Sequence, residues 1–331
     1  MEAIICQEAE WILSQQLASG AVVTAYPGQP KIVPYFAHLA LYGLAAWGLN
    51  LPRVRAYLDW YLAHLERPDR YGVTGTVYDY YLDEGGMEVP AYSYDSSDSY
   101  AATFLTLVRL YYEAGGDTAW VEAHWPELEV VAGAVLATLQ RDNLTLARPD
   151  WPVKYLMDNC EVYRGLKDYA RLLAEVKGAG EAGRYEALAD KVKRALETKM
   201  RLNGGYCPAV YRAGLRRRPN WRRWYPDALA QLFPIITGVL TPQGEAARRL
   251  YANFLRNYPH WYRQTQPENF ITTLVVYTAA LMEDRWRVRQ YVAGLEENII
   301  ARGHPWPYHA AEAGILLLAI KAYLAGGAAY Q

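Results

Sequence analysis

Apolar residues recur at intervals of three and four along most of this 331-residue chain, the spacing that gathers them on one face of a helix. The pattern predicts helices over 2–18, 34–48, 52–66, 96–114, 118–141 and 158–177 in the first half. Six more follow over 181–201, 226–239, 242–257, 267–282, 284–301 and 308–325. Pro52, Pro226, Pro242 and Pro267 suit first-turn positions, where a missing amide hydrogen costs nothing. Asp95 and Asp158 are read as N-caps. Gly48, Gly115-Gly116 and the Gly178-Ala179-Gly180 run mark helix ends, because glycine enters the left-handed conformation freely.

The twelve segments fall into two kinds. The even-numbered ones, such as AATFLTLVRLYY (101–112), ITTLVVYTAALM (271–282) and AEAGILLLAIKAYL (311–324), are apolar nearly all round, and a helix of that kind must be covered on most sides. The odd-numbered ones, such as 181–201 and 284–301, carry a charged face. Alternation of covered and half-exposed helices predicts an all-α toroid of six hairpins, with inner and outer rings, as one domain over 1–331. Connections from an even helix to the next odd one span 3, 3, 3, 2 and 1 residues, whereas those leading into even helices span 15, 29, 16, 24, 9 and 6. Loops beyond about 12–15 residues inside a compact domain are usually functional, so the site is expected at the N-termini of the inner helices. Within the longest loop, 76–82, the DEGG turn (83–86) and 88–94 form a predicted β-hairpin; a second is predicted around 205–214.

Composition narrows the function. Formal charge is −1, so no long-range field suggests nucleic acid or an anionic membrane as a partner. No apolar run approaches the ~20 residues of a membrane span. The start, MEAIICQEAEW, lacks a basic n-region, which makes a cytoplasmic address the expectation. Cys6, Cys160 and Cys207 are odd in number and far apart, suggesting neither a disulfide framework nor a zinc site. P-loop and GxGxxG fingerprints are missing, so no cofactor and no metal are expected. Tyr (29) and Trp (11) greatly outnumber Phe (5), and their polar tips suit half-wet cavity walls.

The order of outer helix, long loop and apolar inner helix joins KIVPYFAHLAL (31–41), YDSSDSYAATFL (94–105), YLMDNCEVYRGL (155–166) and WYPDALAQLFP (224–234). Together these resemble the bacterial six-hairpin glycosidase-like (α/α)6 family over nearly the whole chain. The acidic opening of the fourth helix is similar to that of family-8-type endoglucanases, where an Asp holds the sugar at the scissile bond. The resemblance implies a carbohydrate-active hydrolase acting on an oligosaccharide or polysaccharide. One feature of those enzymes, a Glu ahead of the second helix, has no counterpart in PGQPKIVPYF (27–36). That difference motivates an alternative, a non-catalytic sugar-binding toroid.

Glycoside hydrolysis usually needs two carboxyl groups flanking the bond. The inferred rim carries Asp79, Asp83, Glu84, Asp95, Asp98, Asp158, Glu161, Asp227, Glu268 and Glu312. Asp98 and Glu161 are the expected catalytic pair, with Asp158 and Glu268 as substitutes. The competing reading is structural: Asp95 with Asp98, and Asp158 with Glu161, stand three apart at helix starts, the spacing of a capping box. Convergence of six inner N-termini on one axis favours function, since crowded carboxylates raise one another's proton affinity. Substrate contacts are expected from Tyr35, His38, Tyr94, Asp95, Trp224, Tyr225, Asp227, Trp261, Trp306, Tyr308 and His309, among further rim aromatics Tyr100 and Trp221. His38 and His309 also admit proton transfer by imidazole, as in epimerases on the same barrel, or a lyase; the plain reading is two structural histidines. Five Arg beside two Trp in GLRRRPNWRRWYP (214–226) admit an anionic sugar, against pairing with acids of the 79–88 hairpin or simple solvation.

Overall fold

The computed structural model describes residues 1–24, 28–263 and 270–326. The first half of the chain contains α1 (Glu2–Ser14), α2 (Pro34–Trp47), α3 (Leu51–Ala63), α4 (Ser97–Glu113), α5 (Thr118–Ala123), α6 (Trp125–Leu136) and α7 (Leu156–Val176). The second half contains α8 (Ala179–Ala195), α9 (Phe233–Ile236), α10 (Glu245–Asn257), α11 (Thr273–Leu281), α12 (Arg285–Asn298) and α13 (Ala310–Leu324). Around the inner ring α2 packs on α4, α4 on α7, α7 on α9, α9 on α11, α11 on α13, and α13 returns to α2. The ring closes, and the fold is an (α/α)6 barrel. Outside it, α1 lies over α13 and α2, α3 over α2 and α4, α6 over α4 and α7, α8 over α7, and α12 over α11.

Burial follows the two kinds of sequence. Every residue of α11 is buried, as is every residue of α13 from Ala310 to Ile320. Outer α10 instead buries Ala247, Leu250, Tyr251 and Phe254, a single stripe.

Several predicted boundaries move, each for a local reason. The helix expected over 118–141 is two, α5 and α6, because Pro126 cannot continue the hydrogen-bond ladder across His124. The helix expected over 226–239 becomes a π-helical turn, Trp224–Ala228, followed by the short α9; Pro226 and Pro234 interrupt it, and Gly238 at φ 80° ends it. Pro242 precedes α10 in a turn closed by the Gly244 amide on the Thr241 carbonyl (2.8 Å). Pro267 lies outside the described residues. Asp95 and Asp158 are not caps, since Ser96 and Tyr155 occupy the N-cap positions of α4 and α7; Asp158 falls inside the first turn.

Short strands brace the loops that enter the inner helices. β1 (Lys31–Ile32), β2 (Tyr80–Leu82) and β3 (Glu88–Pro90) form an antiparallel sheet in that order, with Tyr81 opposite Val89 in the predicted hairpin. In the hairpin's turn Asp83 Oδ1 accepts the Gly85 and Met87 amides. The hairpin expected around 205–214 is divided. Of β4 (Lys154–Tyr155), β5 (Arg201–Leu202), β6 (Gly205–Tyr206) and β7 (Ala209–Val210), β6 pairs with β5 and β7 with β4.

Inner helices approach most closely where one lacks a side chain. A Cβ on Gly314 of α13 would lie 2.2 Å from the Leu39 carbonyl oxygen of α2, and one on Gly165 of α7 would lie 2.5 Å from that of Ala102 in α4. Gly133, in α6, has open space around it. Gly314→Ala is therefore expected to destabilise the protein by about 1–3 kcal/mol or more through overpacking. Gly133→Ala should stabilise it by up to about 1 kcal/mol through helix propensity. Urea unfolding of the two variants checks the contrast; equal midpoints would refute the close crossing.

Candidate active site

The long loops surround a cavity of about 530 Å³ at the N-terminal ends of the inner helices. Tyr35 and Phe36 reach it from the first turn of α2, Ser99 and Tyr100 from α4, Met157, Asp158 and Glu161 from α7, and Tyr225 with Pro226 from the π-helical turn. Lys31 of β1, Tyr155 of β4 and Val33, Asp79, Asp95, Pro208, Ala230 and Phe270 complete the wall. Tyr225 stacks on Phe270 with ring centroids 4.0 Å apart. Flat apolar faces and carboxyl groups thus line one space, suited to a ring with C–H faces and hydroxyl edges. A smaller space of about 70 Å³ continues down the barrel axis, lined by Tyr42, Tyr277 and Arg164, and shares Tyr35 and Glu161 with the cavity. Arg164 is held there by Asp168 at 2.6 Å.

Four carboxyl groups face the cavity, and all of them hold protons unusually well. Burial pushes Glu161 up to about 8, against the hydroxyl of Tyr35, which donates to Glu161 Oε1 at 2.8 Å and favours the charged form. Asp79 is pushed up by burial to about 7, again against a hydrogen bond, from Tyr100 at 3.0 Å. Asp95 reaches solvent at the mouth; the surrounding protein raises it while the Arg148 guanidinium pulls it back. Asp158 is raised well above the ordinary carboxylate value, first by burial and then by Asp98, Asp95 and Glu161.

Asp98 stands behind this wall. It is fully buried, off the cavity surface, and raised by burial to about 7 against Thr145 and the Ser99 amide, which donates to Asp98 Oδ1 at 2.9 Å. Oδ2 of Asp98 and Oδ2 of Asp158 are both buried without a hydrogen-bond partner among the described residues. Of the charges acting on Asp158, that of Asp98 is the largest. Two such carboxyls titrate as one unit.

The structure therefore brings Tyr35, Asp95, Asp158, Glu161 and Tyr225 together at the cavity, with Asp98 directly behind. Others expected there are elsewhere. His38 is buried against Tyr57, Tyr61 and Phe104 with Nδ1 2.8 Å from Thr103 Oγ1, and burial holds its pKa well below the usual value. His309 lies behind Phe36 and beside Trp306, held down by burial to about 4. Tyr94 donates to Asp69, and Tyr308 to Glu8 at 2.8 Å. Trp224 packs between Phe254 and Tyr258 on the outer-ring side, and Trp261 against Tyr291. Asp227 takes the Asn220 amide and Arg217 at 3.0 Å. Glu312 accepts the Thr272 and Thr273 amides, capping α11. Glu268 lies outside the described residues. In each described case an aromatic or acid near a helix start points sideways into packing, a direction helical spacing alone does not give. Arg217 and Arg223 face Asp227 of their own segment rather than the 79–88 hairpin.

Ser99, Tyr155 and Phe270 were not anticipated at the site. Tyr155 was the findable one, as a strand residue three positions ahead of Asp158. Among the described residues no group of three His, Cys, Asp or Glu side chains is placed to hold a metal ion, and no helix is long and apolar enough to cross a membrane.

No family model matches the chain, and neither does any curated protein. Solved structures do. A glycosidase in complex with glucose aligns with a TM-score of 0.72 over 97% of this chain and 96% of its own, at 12% identity. An α-amylase from Clostridium perfringens aligns with a TM-score of 0.64 over 97% of each chain, at 11% identity. A rhamnosidase from Klebsiella oxytoca with rhamnose bound aligns at 0.56 over 84% of this chain and 56% of its own, at 15% identity. The shared property is the fold.

Carboxyls with raised proton affinity make stability depend on pH. Asp98 and Glu161 titrate near their ordinary values of 3.8 and 4.5 when unfolded and at about 7 and about 8 when folded. Their folded state binds more protons, so the stability they contribute is complete below the unfolded values and lost as pH rises through the folded ones. The thermal midpoint should fall between pH 5 and 8. Glu161→Gln, which cannot ionise, should flatten that decline; a midpoint rising over the same range would contradict the assignment.

Proposed function

We propose that the protein is a glycoside hydrolase whose proton donor is Asp158, with Asp98 behind it as the positioning residue. The observation that carries this reading is the Asp98–Asp158 pair: two carboxyls, each with an unpartnered oxygen, one inside the cavity and one hidden from it. A general acid must still hold its proton near neutral pH, and burial beside a second carboxyl is the arrangement that keeps it there. In the reaction the Asp158 proton passes to the glycosidic oxygen as the bond from that oxygen to the anomeric carbon breaks. Water adds to the anomeric carbon and gives its proton to an ionised carboxylate on the wall. Asp95, the exposed one of the four and the one beside the Arg148 guanidinium, takes that second role.

Glu161 and Asp79 serve recognition. Each is fixed by a tyrosine hydroxyl, and each, when protonated, can donate to a sugar hydroxyl while its other oxygen accepts. Tyr225 and Phe270 offer stacked rings to the C–H face. The substrate is a neutral sugar, since Lys31 is the single cation among the described lining residues and no guanidinium lines this wall to clamp a uronate. The glucose and rhamnose bound in the related structures are neutral as well. Imidazole chemistry has no support at this cavity, since both His38 and His309 are packed away from it.

Reducing ends should be released from at least one member of a panel of gluco- and rhamno-oligosaccharides and their aryl glycosides. Asp158→Asn should lower kcat by about 10²–10⁴-fold, the usual worth of a positioned acid. Glu161→Gln keeps a donor and an acceptor, so its loss should stay within about tenfold, the scale of one hydrogen bond. Removing the Asp98 charge lowers the proton affinity of Asp158, so Asp98→Asn should shift the alkaline limb of the rate profile to lower pH. Unchanged turnover in Asp158→Asn would sink the proposal.

A further inference from the structure

One surface feature next to the cavity is not used by this chemistry. Trp151 is 50% exposed and Tyr211 39% exposed, both large apolar groups turned toward water. They belong to neighbouring segments: β4 pairs with β7 through Lys154–Val210 and Tyr155–Ala209, Trp151 precedes β4 by three residues, and Tyr211 follows Val210 directly. One end of this ladder, at Tyr155 and Pro208, is cavity wall. The other end carries the exposed rings. Trp151 is also tethered to the wall, because its indole N–H donates to the Tyr155 hydroxyl at 3.0 Å.

Leaving an indole half in water forgoes burial energy, and nothing in the turn requires tryptophan there: the Trp151 amide on the Arg148 carbonyl (3.2 Å) and the Val153 amide on the Trp151 carbonyl (2.8 Å) are backbone bonds any residue could make. The hydrogen bond to Tyr155 limits the ring's freedom, so less entropy is lost when a ligand lies on it. Polar side chains of the same segment are themselves held in place. Arg148 is held by Asp150 at 2.9 Å and by the Tyr94 carbonyl at 2.6 Å, and Lys154 by Asp142.

We propose that Trp151 and Tyr211 form an external subsite, a platform continuous with the cavity, on which the sugar units of an oligosaccharide that do not fit inside are laid. The inference rests on the sugar-binding reading of the cavity and adds a substrate length to it: the protein acts on chains rather than on disaccharides. The indole receives the C–H face of a pyranose.

Length dependence of binding tests this. Maltose and maltohexaose, and cellobiose and cellohexaose, are titrated calorimetrically into the Asp158→Asn protein, with hydrolysis by the unaltered protein followed in parallel. In at least one series the six-unit chain should bind about tenfold more tightly than the two-unit one, the scale of one well-placed tryptophan contact. Adding Trp151→Ala should bring that ratio close to one. Adding instead Trp286→Ala, which removes a 55% exposed tryptophan on α12, should leave the ratio unchanged.

Affinity independent of chain length, equal loss in both tryptophan variants, or no binding by any probe overturns the platform. So does concentration-dependent dimerisation that Trp151→Ala abolishes while the length ratio persists, which would make the patch a contact between copies. Hydrolysis without length dependence sinks the platform and leaves the hydrolase reading standing. Trp151-dependent binding of hexasaccharides that are never cleaved does the reverse.

Discussion

Everything about the site depends on the closing of the inner ring. Its helices meet at crossings where one partner is glycine, Gly314 against Leu39 and Ala40, and Gly165 against Ala102, so that backbones touch and six helices fit round one axis. Their apolar surfaces satisfy one another along the barrel, and polar side chains can survive only at the ends. The short turns leave one end plain. Loops and small sheets enclose the other, and there residues from helices far apart in sequence share one space.

That space works against its own stability. The N-terminal ends of α4 and α7 place Asp98, Asp158 and Glu161 close together, and burial removes the water that would stabilise their charges. Helix N-termini, the Ser99 amide on Asp98 and the Tyr35 hydroxyl on Glu161 return part of the loss. What remains is a set of carboxyls that keep protons near neutrality, costly for folding and useful for acid chemistry. The cost is borne by the barrel, whose inner helices are buried almost throughout.

Aromatics have two distinct roles around this end. Trp224, Trp261 and Tyr308 join inner and outer layers, and the Glu8–Tyr308–His304 cluster ties α1 to the segment leading into α13. Tyr35, Tyr100, Tyr155, Tyr225 and Phe270 face the cavity instead. Composition alone suggested wet walls, and part of the Tyr and Trp excess does serve one; the remainder is mortar between layers.

The chain by itself determined the barrel. Periodicity separates covered from half-exposed helices, connection lengths give the two ends different characters, and these are local or averaged properties that survive without coordinates. Asp158 and Glu161 could be picked out because the start of α7 is also a place on the axis. Only the tertiary structure decided which side of each helix faces the cavity: it moved Asp98 one layer back, turned His38, Trp224 and Asp227 into packing, and brought Tyr155 in from a strand edge. The reason is rotational. A helix start fixes a residue's height along the axis, while its direction depends on how neighbouring helices pack, and that depends on contacts between residues tens to hundreds of positions apart.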